Sequence, residues 1–97
     1  YAPADNVDAV KLAMFDAGAG KIGAYEHCAW QTLGQGQFRP GEDSNPFLGN
    51  IGELETVAEY KVEMVCEGEV VGAVIQALKQ THPYEEPAYA VIRLETY

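Results

Sequence analysis

The segment His82-Pro83-Tyr84-Glu85-Glu86-Pro87 sets an imidazole, a phenol and two carboxylates side by side between prolines. Imidazole and carboxylate are ligands for transition metals and carriers of protons, and a phenol adds a hydrogen-bonding tip to an apolar ring. Each proline fixes its own φ and pushes the residue before it toward extended geometry, so His82 and Glu86 sit in a stiff loop. His27-Cys28 supplies a second nitrogen and sulfur donor pair. His27, His82 and Glu85 form a candidate divalent-metal set, and Tyr84, Glu86 and Cys28 extend it to a small-ligand site; only the fold could bring these positions together. Each residue also has a structural explanation. An imidazole at a helix C-terminus can donate to the last carbonyls, Tyr84 can anchor packing, and the two glutamates can be polar residues at a strand entrance.

Gly18-Ala19-Gly20-Lys21-Ile22-Gly23 spells G-x-G-x-x-G, but it follows a helical pattern and opens a strand, the reverse of the dinucleotide-binding context. A helix C-cap followed by a glycine turn explains it, with Lys21 and nearby amides left as a candidate anion contact at a subunit boundary. Glu53, Glu55, Glu59 and Glu63 share parity with Lys61 and line one face of an unbroken strand, as a solvated face or half of an intersubunit charge pattern. The sequence carries no nucleophile elbow, helical H-E-x-x-H or P-loop, so a non-enzymatic role is expected.

The 97 residues suffice for one domain, 1–97, with a single core. Six basic residues against fifteen acidic ones give a formal net charge of -9, and the cations are scattered. Phosphate backbones and anionic membranes need clustered cations, so neither nucleic acid nor membrane is an expected partner. With no apolar run of bilayer length and no signal-peptide layout, a cytoplasmic location is expected. Cys28 and Cys66 lack C-x-x-C spacing and fall in stretches that read as strand, which predicts buried free thiols.

These residues must be positioned by a small set of elements. Val7, Val10, Ala13, Met14 and Ala17 recur at helical spacing over 5–17, ahead of Gly18. Residues 25–32 read as a strand, and 34–52, rich in Gly, Pro, Asn, Asp and Ser, as a long loop. Residues 57–66 alternate, with Ala58, Tyr60, Val62, Met64 and Cys66 on the core face. Val71, Val74, Ile75 and Leu78 predict a second helix that must end before His82-Pro83. Residues 88–95 alternate again as a last strand. With Tyr1-Ala2 taken as the tail of a largely missing first strand, the order is βαββαβ. That is an α+β ferredoxin-like sandwich, an antiparallel four-stranded sheet with two helices on one face.

Gly20-Lys21-Ile22-Gly23, His27-Cys28-Ala29-Trp30, Gly34-Gln35-Gly36-Gln37-Phe38-Arg39-Pro40, Asn45-Pro46-Phe47-Leu48-Gly49 and His82-Pro83-Tyr84-Glu85-Glu86-Pro87-Ala88-Tyr89 occur in this order along the chain. In them it resembles the YqfO family, in the form of the domain inserted in Nif-three-like dimetal proteins. The resemblance implies a PII/CutA-like fold and a homo-oligomer, with a trimer favoured. It also implies a small ligand or divalent metal bound or sensed in intersubunit clefts, and a protein partner at loop 34–52 by analogy with PII. The alternative is an interaction and assembly module without a small-molecule ligand; a hydrolase like the full-length proteins fits least, because the flanking metal-ligand motifs are absent. The family usually has an acidic residue after Ala-Tyr, where this chain has Ala90.

Overall fold

The computed structural model describes all residues, 1–97. The elements are β1 (Ala2–Pro3), α1 (Val7–Asp16), β2 (Trp30–Phe38), β3 (Glu55–Glu63), a 3₁₀ turn (Gly68–Val70) and α2 (Val71–Thr81). The three strands form one antiparallel sheet in the order β1-β3-β2, so the fold is α+β.

Both helices form for the reason their spacing implies. Val7, Val10 and Met14 recur on one stripe of α1, and Val71, Val74, Ile75 and Leu78 on one stripe of α2. The stripes meet over the sheet: Ala2, Val7, Val10 and Leu78 are buried together, with Met14, Tyr60, Val62 and Ile75 packed against them. Tyr60 and Val62 therefore face the helices, as their parity on β3 requires. Helix α1 ends where Gly18 takes φ +116°, a conformation costly for any residue with a Cβ. Helix α2 ends at His82, whose φ of -67° and ψ of 136° are the extended geometry that Pro83 imposes.

Three expectations are corrected. The strand read at 25–32 instead runs Trp30–Phe38, through Gly34 and Gly36, and the loop shortens to 39–54. Gly36 lies opposite Val57, and the Glu59 side chain occupies the space its Cβ would need, so this glycine is a packing choice rather than a turn. Strand β3 ends at Glu63, short of the expected residue 66. Cys66 is consequently exposed and Cys28 only half-buried, although both are free thiols as expected.

The third correction concerns 88–95, which forms no strand, so the sheet has three strands rather than four. An extended segment needs a partner for its backbone groups, and the strand that would flank it, β1, is two residues long. A single hydrogen bond, from the Tyr1 amino group to the Ala88 carbonyl at 3.1 Å, marks where the two run together. Beyond it Val91, Ile92 and Leu94 are exposed, and Lys79 sits 5.7 Å from the Tyr89 ring centroid. The accessible surface is 7166 Å², against roughly 5,500 Å² for a compact monomer of this mass.

With so few buried side chains, each one matters. Leu78→Ala is expected to lower the unfolding free energy by about 2–4 kcal/mol, read from urea denaturation; a loss below about 1 kcal/mol would mean that the two helices do not share this core.

Candidate functional site

The proline-bracketed loop is anchored by its histidine. His82 is 6% exposed. Its Nε2 lies 2.7 Å from the Tyr1 carbonyl oxygen, and its Nδ1 accepts from the Tyr84 backbone N–H at 3.1 Å. One ring nitrogen must therefore donate and the other accept, which fixes the neutral tautomer with the proton on Nε2. Its backbone N–H closes the last turn of α2 onto the Leu78 carbonyl. The imidazole thus bonds β1 and the loop rather than the helix-end carbonyls. Burial lowers its pKa from the ordinary histidine value, opposed by the bond to Tyr1.

Tyr84 turns its ring into an aromatic cluster with His82 at 4.9 Å, Phe38 at 5.8 Å and Phe47 at 6.5 Å between centroids. Its hydroxyl is shielded from solvent and makes no hydrogen bond of acceptable geometry. Burial, then the nearby Glu59 carboxylate and more weakly Glu55, push it up to about 12. Glu85 reaches across to the long loop, where its Oε1 accepts from the Asn45 N–H at 2.8 Å. That bond joins two sequence motifs forty positions apart.

Between these loops lies a cleft of about 340 Å³ whose walls include Phe38, Arg39, Phe47, Glu59, Tyr84 and Glu85. Glu86 and Tyr1 also border it. The volume is at the lower end of the range for small-molecule sites. Glu55 and Glu59 lie on the sheet face opposite the helices and are half-buried, so that face is partly covered rather than the fully solvated row expected from parity. Phe38, Arg39, Phe47 and Glu59 were not singled out as site residues by type. The signal was available in the Gly34–Pro40 and Asn45–Gly49 motifs and in the parity of Glu59, but no spacing rule says which loop folds over which face.

The other candidates lie elsewhere. The exposed His27 has φ +56° and stacks on Phe15 at 4.7 Å with 13° between planes. Cys28 Sγ contacts the Glu26 carbonyl oxygen at 3.8 Å, and Lys21 is exposed. In the glycine motif the Gly20 N–H donates to the Val65 carbonyl at 2.7 Å and the Gly20 carbonyl accepts from the Cys28 N–H at 2.8 Å. This amide is spent on the fold. His27, Cys28 and Lys21 do not line the cleft, and no group of three or more His, Cys, Asp or Glu side chains is placed to hold a metal. With both His82 nitrogens engaged, the set His27, His82 and Glu85 does not assemble in one chain.

Comparison with known proteins gives the same region a context. No family model matches the chain. It is 47% identical over 94 residues to the GTP cyclohydrolase 1 type 2 homolog of Mycobacterium leprae, covering 97% of this chain and 24% of that protein. The Bacillus subtilis protein of the same name is 44% identical over 95 residues, covering 98% and 26%. A crystal structure of a Bacillus cereus protein related to NIF3 superposes with a TM-score of 0.82 at 38% identity, over 98% of this chain and 24% of that one. The chain is similar to one segment of NIF3-related proteins. It spans about a quarter of the length of the curated relatives it matches. No helix is long and apolar enough to cross a membrane.

Two outcomes test the geometry. Because the folded-state pKa of His82 lies below its unfolded value, the unfolded chain binds more protons in that interval. Its contribution is complete above the ordinary histidine pKa and is lost as pH falls through the folded value. The thermal midpoint of the parent should therefore drop more steeply between pH 7 and 5 than that of His82→Gln, and parallel slopes would contradict the assignment. Tyr84→Phe removes a shielded, unpaired hydroxyl and is expected to leave unfolding free energy unchanged or raise it by about 1 kcal/mol; a clear loss in urea denaturation would show that the hydroxyl is bonded to Glu59.

Proposed function

We propose that this chain is a small-ligand-binding module of the YqfO type that works as part of a homo-oligomer and catalyses no reaction itself. The observation that carries the reading is the cleft, where the long loop and the proline-bracketed loop are tied together by the Asn45 to Glu85 bond around a cluster of aromatic rings. Such a cleft is concave, largely apolar and furnished with a few convergent polar groups, the usual make-up of a binding site. The name GTP cyclohydrolase 1 type 2 homolog belongs to polypeptides about four times as long as the matched segment. The order β1-β3-β2 with both helices on one face is the one a ferredoxin-like, PII/CutA-like sheet would have before a fourth strand joins beside β1. A divalent metal would need ligands from more than one copy, with His27 and Glu85 the available donors. The expected location is cytoplasmic.

A second reading, assembly without a small ligand, is favoured by the surface. The accessible area exceeds that of a compact monomer by roughly 1,700 Å², more than the ~800 Å² each partner buries in a standard interface. Val91, Ile92, Leu94, Trp30 and Leu33 are exposed apolar side chains that could supply it. The long loop remains the candidate contact for a different protein.

Titration with nucleotides, small amines, zinc and copper, followed through the amide resonances of Asn45, Tyr84 and Glu85, separates the readings. Saturable shifts with at least one probe are expected; silence across the panel on the intact oligomer would remove the ligand role. In sedimentation velocity the chain should exceed monomer mass, and Ile92→Asp should move it toward monomer.

A further inference from the structure

We infer that the cleft takes a small organic cation, with its ammonium group against Glu59 and its apolar part over the rings of Phe38, Phe47 and Tyr84. This inference rests on the ligand-binding reading above and specifies the ligand's chemistry.

Two observations converge on positive charge. Glu59 is a half-buried carboxylate at the cleft that forms no ion pair and has the shielded Tyr84 hydroxyl beside it; the two ion pairs are Lys11 with Asp8 and Lys61 with Glu63. A half-buried carboxylate without a counter-charge is unfavourable, and a bound cation relieves it. The cleft's other carboxylates are Glu85, whose Oε1 is used by Asn45, and Glu86, against a single side-chain cation, the exposed Arg39. Net charge at the cleft is negative, as it is over the whole chain.

The rings give the second observation. Phe38 and Phe47 stand tilted by 60° and 51° to Tyr84, and all three rings line the cleft. Aromatic faces attract cations through their quadrupole, and ring clusters with nearby carboxylates are how alkylammonium groups are held.

The experiment is an amide-resonance titration of the intact chain with n-butylammonium, its neutral counterpart 1-butanol and the anion butyrate, reading Asn45, Tyr84 and Glu85. Butylammonium is expected to give saturable shifts at millimolar concentration, at least ten-fold tighter than either counterpart. Glu59→Gln, checked for native circular dichroism, should weaken it about ten-fold, and Phe47→Ala, a change at an exposed loop ring, several-fold. Butyrate or butanol binding as well as butylammonium, or an unchanged affinity in Glu59→Gln, would overturn the cation assignment while keeping the cleft as a ligand site. No saturable shift with any of the three, nor with the wider panel above, would overturn both.

Discussion

The bond pair made by His82 is the constraint on which the rest of the site depends. A buried imidazole with two nitrogens must satisfy both, and here one is met by the Tyr1 carbonyl and the other by the Tyr84 amide. Those two bonds tie the end of α2, the first strand and the proline-bracketed loop to one point. Tyr84 is carried over the sheet face opposite the helices, and its ring gathers Phe38 and Phe47. Glu85 follows and meets Asn45. A residue that reads by type as a metal ligand is thus consumed by architecture, and the chemistry passes to the groups it positions.

The sheet divides the molecule into two unequal halves. On the helix side, alternate residues of β3 complete a small core with Val7, Val10 and Leu78. On the other side, Glu55 and Glu59 are half covered by loops instead of by a layer of secondary structure. Loops cover a surface with polar backbone as well as side chains, so the covered space is neither a dry core nor open water. Neither carboxylate there forms an ion pair, and this is the feature on which the cation proposal rests. The arrangement is similar to a quarter-length segment of NIF3-related proteins.

Much of the scaffold was legible beforehand. The stripes of α1 and α2 follow from 3.6-residue spacing, and the core face of β3 from alternation. Gly34 and Gly36 misled, since glycine favours turns locally, whereas pairing with β3 carries them through a strand. Residues 88–95 misled in the opposite sense, because alternation records a preference for pairing and cannot supply the partner. The glycine motif follows α1, as its spacing predicts, and the Gly20 hydrogen bonds tie it to Val65 and Cys28.

By itself the sequence determined the helices, the core alternation of β3, the stop at His82-Pro83 and the stiffness of the segment after it, all consequences of local sterics and periodicity. It also marked that segment as chemically dense. Only the tertiary structure decided that His82 is an internal fastener and that His27 and Cys28 lie away from the cleft. Glu59, Phe38 and Phe47 complete the cleft by the same decision. The physical reason is that hydrogen-bond satisfaction and the covering of a sheet face depend on which distant groups meet, and residue type and spacing along the chain do not encode that meeting.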